Sequence, residues 1–178
     1  MKYKINEIFY SIQGEGYWTG TAAIFIRFSG CNLKCWFCDT KHESGVQMSI
    51  DDILLAIKAY PARHAVLTGG EPTLQADKAL YDALRLNGYY VQIETNGTST
   101  GIYADWITCS PKENRILDWG DELKVVFTGQ ELEPYEKLHF NHFYLQPCSM
   151  EFEPVINIIK ERPKWRLSLQ TQKMLKIA

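Results

Sequence analysis

A chain of 178 residues with 46% hydrophobic content is long enough for one well-packed domain and too short to argue for two. A net charge of −2 and an isoelectric point near 6.1 announce no basic face for nucleic acid, so small ligands are the expected partners. No apolar run approaches the roughly 18 residues that span a bilayer, and the opening MKYKINEIFYSIQGEG lacks the apolar core and cleavage site of a secretory signal, which points to the cytoplasm.

In chain order, AAIFIRF (22–28) is a short β-rich run between Gly20 and Gly30 and reads as a strand. Ser49 then opens SIDDILLAIKAY, where Ile50, Ile53, Leu54 and Ile57 form a helical stripe and Pro61 stops it. HAVLT (64–68) is the next strand and runs into TGGEP. ADKALYDALRLNG follows as a helix with Leu80, Ala83 and Leu84 inward and Gly88 as its stop. YYVQIET (89–95), WITCS (106–110), ELKVVF (122–127), HFYLQP (142–147) and WRLSLQ (165–170) read as strands. Residues 130–138 read as a short helix and EFEPVINIIKER (151–162) as a longer one. Strands alternating with helices imply right-handed βαβ units and a parallel sheet. About six strands are too few for a closed eight-fold barrel, so residues 1–178 are expected to form a single-domain open partial (β/α) barrel with helices outside.

The distinctive polar stretches nearly all follow strands: SGCNLKC, TGGEP, ETNG, SPK and QPCS. In parallel α/β sheets the ligand site lies at the carboxyl ends of the strands, so these five loops should meet at one site. The first of them follows the first barrel strand and holds Cys31, Cys35 and Cys38, spaced Cys-x3-Cys-x2-Cys. In a reducing compartment such a cluster reads as metal ligands or redox groups before disulfides. Structural zinc would need a fourth ligand; His42 is the nearest, on the same crowded loop. A 4Fe-4S cubane held by three thiolates leaves one iron open to bind a small molecule.

Cys-x3-Cys-x2-Cys with Phe37 before the last cysteine resembles the radical S-adenosylmethionine superfamily. TGGEP (68–72) after the second strand adds to the resemblance. In that superfamily the open iron takes the amino and carboxylate groups of S-adenosylmethionine, and an electron from the cluster cleaves the sulfonium to leave a 5′-deoxyadenosyl radical. EIFYSIQGEGYWTGTAAIFIRFSGCNLKCWFCDT and the tail RLSLQTQKMLKIA are similar to the two ends of 7-carboxy-7-deazaguanine synthases. ETNG, CSPK and QPCS stand between them in that family's order, so the resemblance covers essentially the whole chain. It implies the ring contraction of 6-carboxy-5,6,7,8-tetrahydropterin to 7-carboxy-7-deazaguanine with loss of ammonia. Other readings are a glycyl-radical activase, against which IQGEG and CDT stand, and a non-catalytic metal module.

The resemblance also implies roles. Cys31, Cys35 and Cys38 would hold the cluster, and Thr40 of CDT a magnesium ion beside the substrate. By its residue type alone, Thr40 reads as an ordinary turn hydroxyl. Arg27, in the apolar strand FIRF, is either a salt-bridge partner or a fork for the substrate carboxylate. Ile12, Gln13 and Gly14 would contact the pterin, or form a plain hairpin turn. Glu15 would meet its guanidine-like edge, and Thr68 would contact substrate at a strand end. For S-adenosylmethionine the implied residues are Gly70, Ser110, Pro111, Lys112, Gln146, Pro147, Cys148 and Ser149, with the backbone of Phe37, Cys38 and Asp39 against the adenine. Glu71 would orient its loop or meet a positive charge, and Glu94 and Asn96 would reach either ligand. Cys109 reads as a small packing residue, and so by default does Cys148. The carboxylate of Ala178 would reach the substrate. Family tails commonly read QTHK, whereas this chain has Gln172 where that His would stand. The partners implied are an external electron donor of flavodoxin or ferredoxin type and a second copy in a homodimer.

Overall fold

The computed structural model describes residues 1–149 and 151–177. Strand β1 (Tyr3–Ile12) has no counterpart among the expected elements. Tyr3 and Ile5 are buried, but pairing with β2 (Ala22–Phe28) slips: Ile5 faces Phe28 while Glu7 already faces Arg27. A bulge therefore sits at Asn6, and the two-residue alternation changes phase there, which hides the strand from a periodicity search. β3 (Val46–Met48) adds to the outer edge of β1, also antiparallel.

The alternating elements follow: α1 (Ile50–Ile57), β4 (His64–Gly69), α2 (Lys78–Leu86), β5 (Tyr90–Thr95), β6 (Trp106–Cys109), β7 (Trp119–Phe127), α3 (Glu133–Glu136), β8 (His139–Pro147), α4 (Glu153–Glu161), β9 (Trp165–Leu167) and α5 (Thr171–Leu175). Ser49 caps α1 reciprocally: its hydroxyl accepts from the Asp52 N–H, and the Asp52 carboxylate accepts from the Ser49 N–H. The last strand ends at Leu167, short of residue 170; Ser168 still donates its N–H to the Leu145 carbonyl and turns its hydroxyl to Gln146. Helix α5 was not expected; its five residues bury none of their side chains.

The strands join in one nine-stranded sheet in the order β3-β1-β2-β4-β5-β6-β7-β8-β9. From β2 to β9 every neighbouring pair is parallel, and the sheet does not close on itself. The open partial barrel holds, with an antiparallel pair added at its leading edge.

The two faces of the sheet have opposite chemistry. On the outer face Ile24, Ile26, Leu67, Ile93, Leu123 and Val125 pack against Ile53, Leu80, Leu84 and Val155 of the helices. On the inner face the alternate positions carry Arg27, Thr68, Gln92, Glu94, Thr108, Glu122, Lys124 and Gln146. Several of these are buried and hydrogen-bonded to one another: His64 to Gln92 at 2.9 Å, and Gln92 and Trp106 to the Thr108 hydroxyl at 3.2 and 3.1 Å. Toward the amino ends of the strands the inner face is covered by Trp18, His64, Trp106 and His142, edged by the exposed Tyr17 and Tyr90, and these rings meet at 4.6–5.7 Å. With aromatic rings toward the amino ends, the polar side chains near the carboxyl ends of the strands border space for ligands.

Candidate active site

The cysteine loop leaves β2 at Phe28. Its neck is closed by the Gly30 N–H bonding to the His42 carbonyl at 2.8 Å, and its tip by a turn from the Cys38 N–H to the Cys35 carbonyl at 3.1 Å. All five cysteines are free thiols. Cys31, Cys35 and Cys38 line one cavity, and burial pushes the Cys35 thiol up against the pull of the nearby Lys112 ammonium. Among the described residues no three His, Cys, Asp or Glu side chains gather tightly enough to hold a single metal ion. A cubane, taking one thiolate on each of three irons, needs no such gathering around one point. Cys109 stands apart, wholly buried in the core, its thiol pushed up to about 12 by burial.

The GGEP loop is stapled to the cysteine loop. Gly70 donates to the Phe28 carbonyl at 3.0 Å and Glu71 to the Gly30 carbonyl at 2.9 Å. A Cβ on Gly70 would lie 1.8 Å from the Gly30 carbonyl oxygen, so only glycine allows this approach. The buried Glu71 side chain meets no cation among the described residues. It accepts from the Thr95 hydroxyl and the Asn96 N–H, both at 2.7 Å, and from Thr73, which locks GGEP to ETNG. These bonds match the loop-orienting role considered for Glu71. Asn96 in turn donates to Asn32 at 2.9 Å and approaches the Cys31 sulfur at 3.9 Å.

The cavity has two adjoining lobes. One, of about 220 Å³, is lined by the three cysteines with Phe37, Gly70, Asn96, Ser110, Lys112, Gln146, Pro147 and Cys148. The other, of about 310 Å³, is lined by Ile12, Gln13, Gly14, Arg27 and Gln172. Glu15, Asp39, Thr40, Thr68, Glu94 and Lys173 belong to both. Lys112 donates to the Ser110 carbonyl and hydroxyl at 2.9 and 2.8 Å and lies 5.5 Å from the centre of the Phe37 ring. Burial lowers its ammonium.

In the second lobe the residues 13–21 are indeed a hairpin, closed by Gln13 and Gly20 backbone bonds, and yet they wall the cavity. Glu15 accepts from the Lys124 ammonium on one oxygen and from the Gln170 and Gln172 amides, at 2.8 and 2.9 Å, on the other. Burial works to raise the Glu15 carboxyl, but Lys124 and the two amides outweigh it and hold it below the usual range. Glu94 accepts from Gln13 at 3.0 Å and Thr68 at 3.1 Å, with the Lys124 ammonium at 4.0 Å. Arg27 has a salt-bridge partner, Glu7 on β1 at 2.7 Å, and its guanidinium lies 5.3 Å from the Phe9 ring centre while still lining the lobe. Asp39 is bonded to Lys173; burial would raise its carboxyl, but that ammonium holds it low. Thr171 donates to the Gly14 carbonyl by both its N–H and its hydroxyl, at 3.0 Å each, so α5 roofs the lobe through polar contacts.

Two residues expected at the site stand off its walls: Pro111 is buried behind Ser110, and Ser149 is exposed. Ala178 lies outside the described residues. Lys124, Glu122, Gln170 and Lys173 were not anticipated, although ELKVV and VQIET carried a signal. A charged side chain at alternate positions of a strand with apolar neighbours must find a partner inside.

Three comparisons bear on this geometry. The radical SAM superfamily profile matches residues 25–108. A 7-carboxy-7-deazaguanine synthase of Bacteroides thetaiotaomicron is 55% identical, with 99% of this chain and all of that protein covered. Synthases so named from Burkholderia multivorans and Neisseria meningitidis are 41% and 38% identical over 99% and 97% of the chain, covering 100% and 92% of their own lengths. A crystal structure of QueE from Escherichia coli superposes with a TM-score of 0.83 at 33% identity, covering 96% of this chain and 94% of that one.

Proposed function

The chain belongs to the 7-carboxy-7-deazaguanine synthase family of radical S-adenosylmethionine enzymes, and from that premise we propose how its own residues divide the work. The reaction is that of the family: 6-carboxy-5,6,7,8-tetrahydropterin contracts to 7-carboxy-7-deazaguanine and ammonia leaves. A 4Fe-4S cluster with S-adenosylmethionine, when bound, supplies the radical chemistry, and the protein supplies binding, orientation and exclusion of water.

The observation that carries the reading is the two-lobed cavity, with three thiols in one lobe and hydrogen-bonding groups for a heterocycle in the other. The donor set fits the cluster: Cys31, Cys35 and Cys38 face the first lobe and none is taken up in a disulfide. Gly70, Ser110, Lys112, Gln146, Pro147 and Cys148 wall the remaining space for S-adenosylmethionine. The Lys112 ammonium suits its carboxylate, and the Phe37 ring and the backbone at Cys38 and Asp39 suit its adenine. Pro111 and Ser149 act on this lobe through their loops. Gln13, Gly14, Glu15, Ile12 and Thr68 hold the pterin, and Arg27 receives its carboxylate. The Thr40 hydroxyl beside the Asp39 carboxylate is a hard-oxygen pair suited to magnesium, which keeps water and substrate oxygens as its other ligands. An external one-electron carrier of flavodoxin or ferredoxin type and a homodimer complete the reading, in the cytoplasm. No helix among the described residues is long and apolar enough to cross a membrane.

The test is an anaerobic assay of the reconstituted protein with reductant, S-adenosylmethionine, magnesium and 6-carboxy-5,6,7,8-tetrahydropterin, read by mass spectrometry. Appearance of 7-carboxy-7-deazaguanine is expected; deoxyadenosine without it would mean a different substrate. Cys35→Ala should lose the absorbance near 400 nm, on the order of that typical of thiolate-bound clusters. A full cluster in that variant would remove Cys35 from the ligand set.

A further inference from the structure

Lys124 is a fully enclosed cation with several claims upon it. It projects from the inner face of β7, 5% exposed, and lines the first lobe. Its ammonium is bonded to Glu15 and stands 4.0 Å from Glu94, and Glu122 lies two residues before it on the same face. A buried ammonium is costly without partners, and buried carboxylates are costly without a cation. Each side therefore holds the other in place.

The acceptor count gives this cluster a purpose. An ionised carboxylate offers about four acceptor positions. Glu15 has three filled, by Gln170, Gln172 and Lys124, which leaves one. Glu94 has two filled, by Gln13 and Thr68, which leaves two. These open positions lie on residues shared by both lobes, and the side chains bearing them are tied through one nitrogen. A planar heterocycle with adjacent N–H and NH₂ donors needs two acceptors at a fixed separation.

The geometry points to Lys124 as a positioning residue that sets Glu15 and Glu94 as the paired acceptors for the donor edge of the substrate. This rests on the pterin reading above and names the group that makes its acceptor side rigid. Lys124 does not touch the substrate in this account; it acts through the two carboxylates. Glu122 supports the arrangement from below: it accepts the Tyr17 N–H at 3.0 Å, and burial raises its carboxyl to about 7 despite the pull of Lys124. Held toward its neutral form by burial, it competes less for the ammonium than an ionised carboxylate would. Other ionisable groups around the cluster are Lys112 beyond β6, His64 on β4 near Glu94, the Asp39–Lys173 pair on the shared cavity wall and, in register on β8, His142 beside Glu122 and Tyr144 beside Lys124.

The experiment compares wild type with Lys124→Met, cluster and S-adenosylmethionine loaded, by steady-state kinetics over pH. The wild-type assay comes first; if it makes no 7-carboxy-7-deazaguanine, the pterin reading fails and this proposal falls with it. Given product, Lys124→Met is expected to raise KM for the pterin roughly 10- to 100-fold, the effect of losing a charge-assisted hydrogen bond. The KM for S-adenosylmethionine and the cluster absorbance should stay as in wild type. The raised KM should also fall as pH rises, because burial raises the Glu15 carboxyl once its cation is gone, and it accepts best when ionised. An unchanged KM with a flat profile overturns the proposal. Should Lys124→Met fail to fold, the double variant Glu15→Gln/Lys124→Met removes the orphaned charge; wild-type KM in that variant likewise overturns it.

Discussion

Gln172 shows how much one side chain can decide at this site. Its amide donates to Glu15 at 2.9 Å while its own backbone presses on Gly14, where a Cβ would lie 2.9 Å from the Gln172 nitrogen. Glycine at position 14 is thus required by the tail that crosses it. An imidazole at position 172 keeps a donor and gains the ability to carry charge, which would strengthen the bond to Glu15 at low pH. Gln172→His is therefore expected to give the same product, with KM for the pterin lowered by no more than about fivefold at pH near 6 and little changed near 8. Product analysis and KM over that range check it. A different product would mean that residue 172 selects the chemistry and does not merely support Glu15. Glu71 teaches the complementary lesson: its position in GGEP was legible, but its partners, Thr95 and Asn96, are brought to it only by β5.

At the scale of elements, the site is a set of loops held at fixed separations by backbone. The cysteine loop and GGEP are joined by the Gly70–Phe28 and Glu71–Gly30 bonds, and neither loop has its final shape without the other. Gly70→Ala inserts a methyl 1.8 Å from a carbonyl oxygen and must push the loops apart. The fold should survive, since the strands beneath are unaffected, while product formation falls roughly 100-fold through misplacement of the reacting groups. Circular dichroism and turnover separate the two effects, and wild-type turnover would show that this close approach is dispensable. Elements with strong local signals were legible here. Ser49, the apolar stripe of α1 and Pro61 mark one helix, and HAVLT and VQIET are strands by composition. Strand β1 was not legible because its bulge breaks the alternation at Asn6. Nor was α5, whose five residues have no apolar face and are ordered by contacts to Gly14, Glu15 and Asp39, more than 130 positions away.

For the whole molecule, the division of the sheet into an apolar outer and a polar inner face has a consequence for stability. Glu122 ionises near 7 in the folded protein against an ordinary value of 4.5, so the folded state binds a proton that the unfolded state has lost. Its contribution is full below about 4.5 and disappears as pH rises through about 7, a change of up to about 3 kcal/mol. Glu15 has the opposite sign: held low, it favours the folded state above 4.5 and loses that contribution only in stronger acid. His64, lowered by burial, also favours the folded state as pH rises toward 6.5. The contribution of Glu122 is therefore best isolated by difference. Thermal unfolding of wild type and Glu122→Gln from pH 5 to 8 should show wild type losing stability relative to the variant across that window. Parallel curves would mean that Glu122 is not protonated in the fold.

The sequence by itself determined the alternation of strands and helices, the open barrel and the cysteine loop, because these follow from local composition, period and spacing; the family came from the resemblance of its motifs to known ones. It also placed nearly all the loops that wall the cavity, since in a parallel sheet they must leave the same ends of the strands. The tertiary structure alone decided which buried charges share a partner. Lys124 meets Glu15 across 109 positions and Glu94 across a neighbouring strand. Such pairings answer to the curvature of the sheet and the cost of leaving a charge unpaired in its interior, and neither quantity is written in any local stretch of the chain.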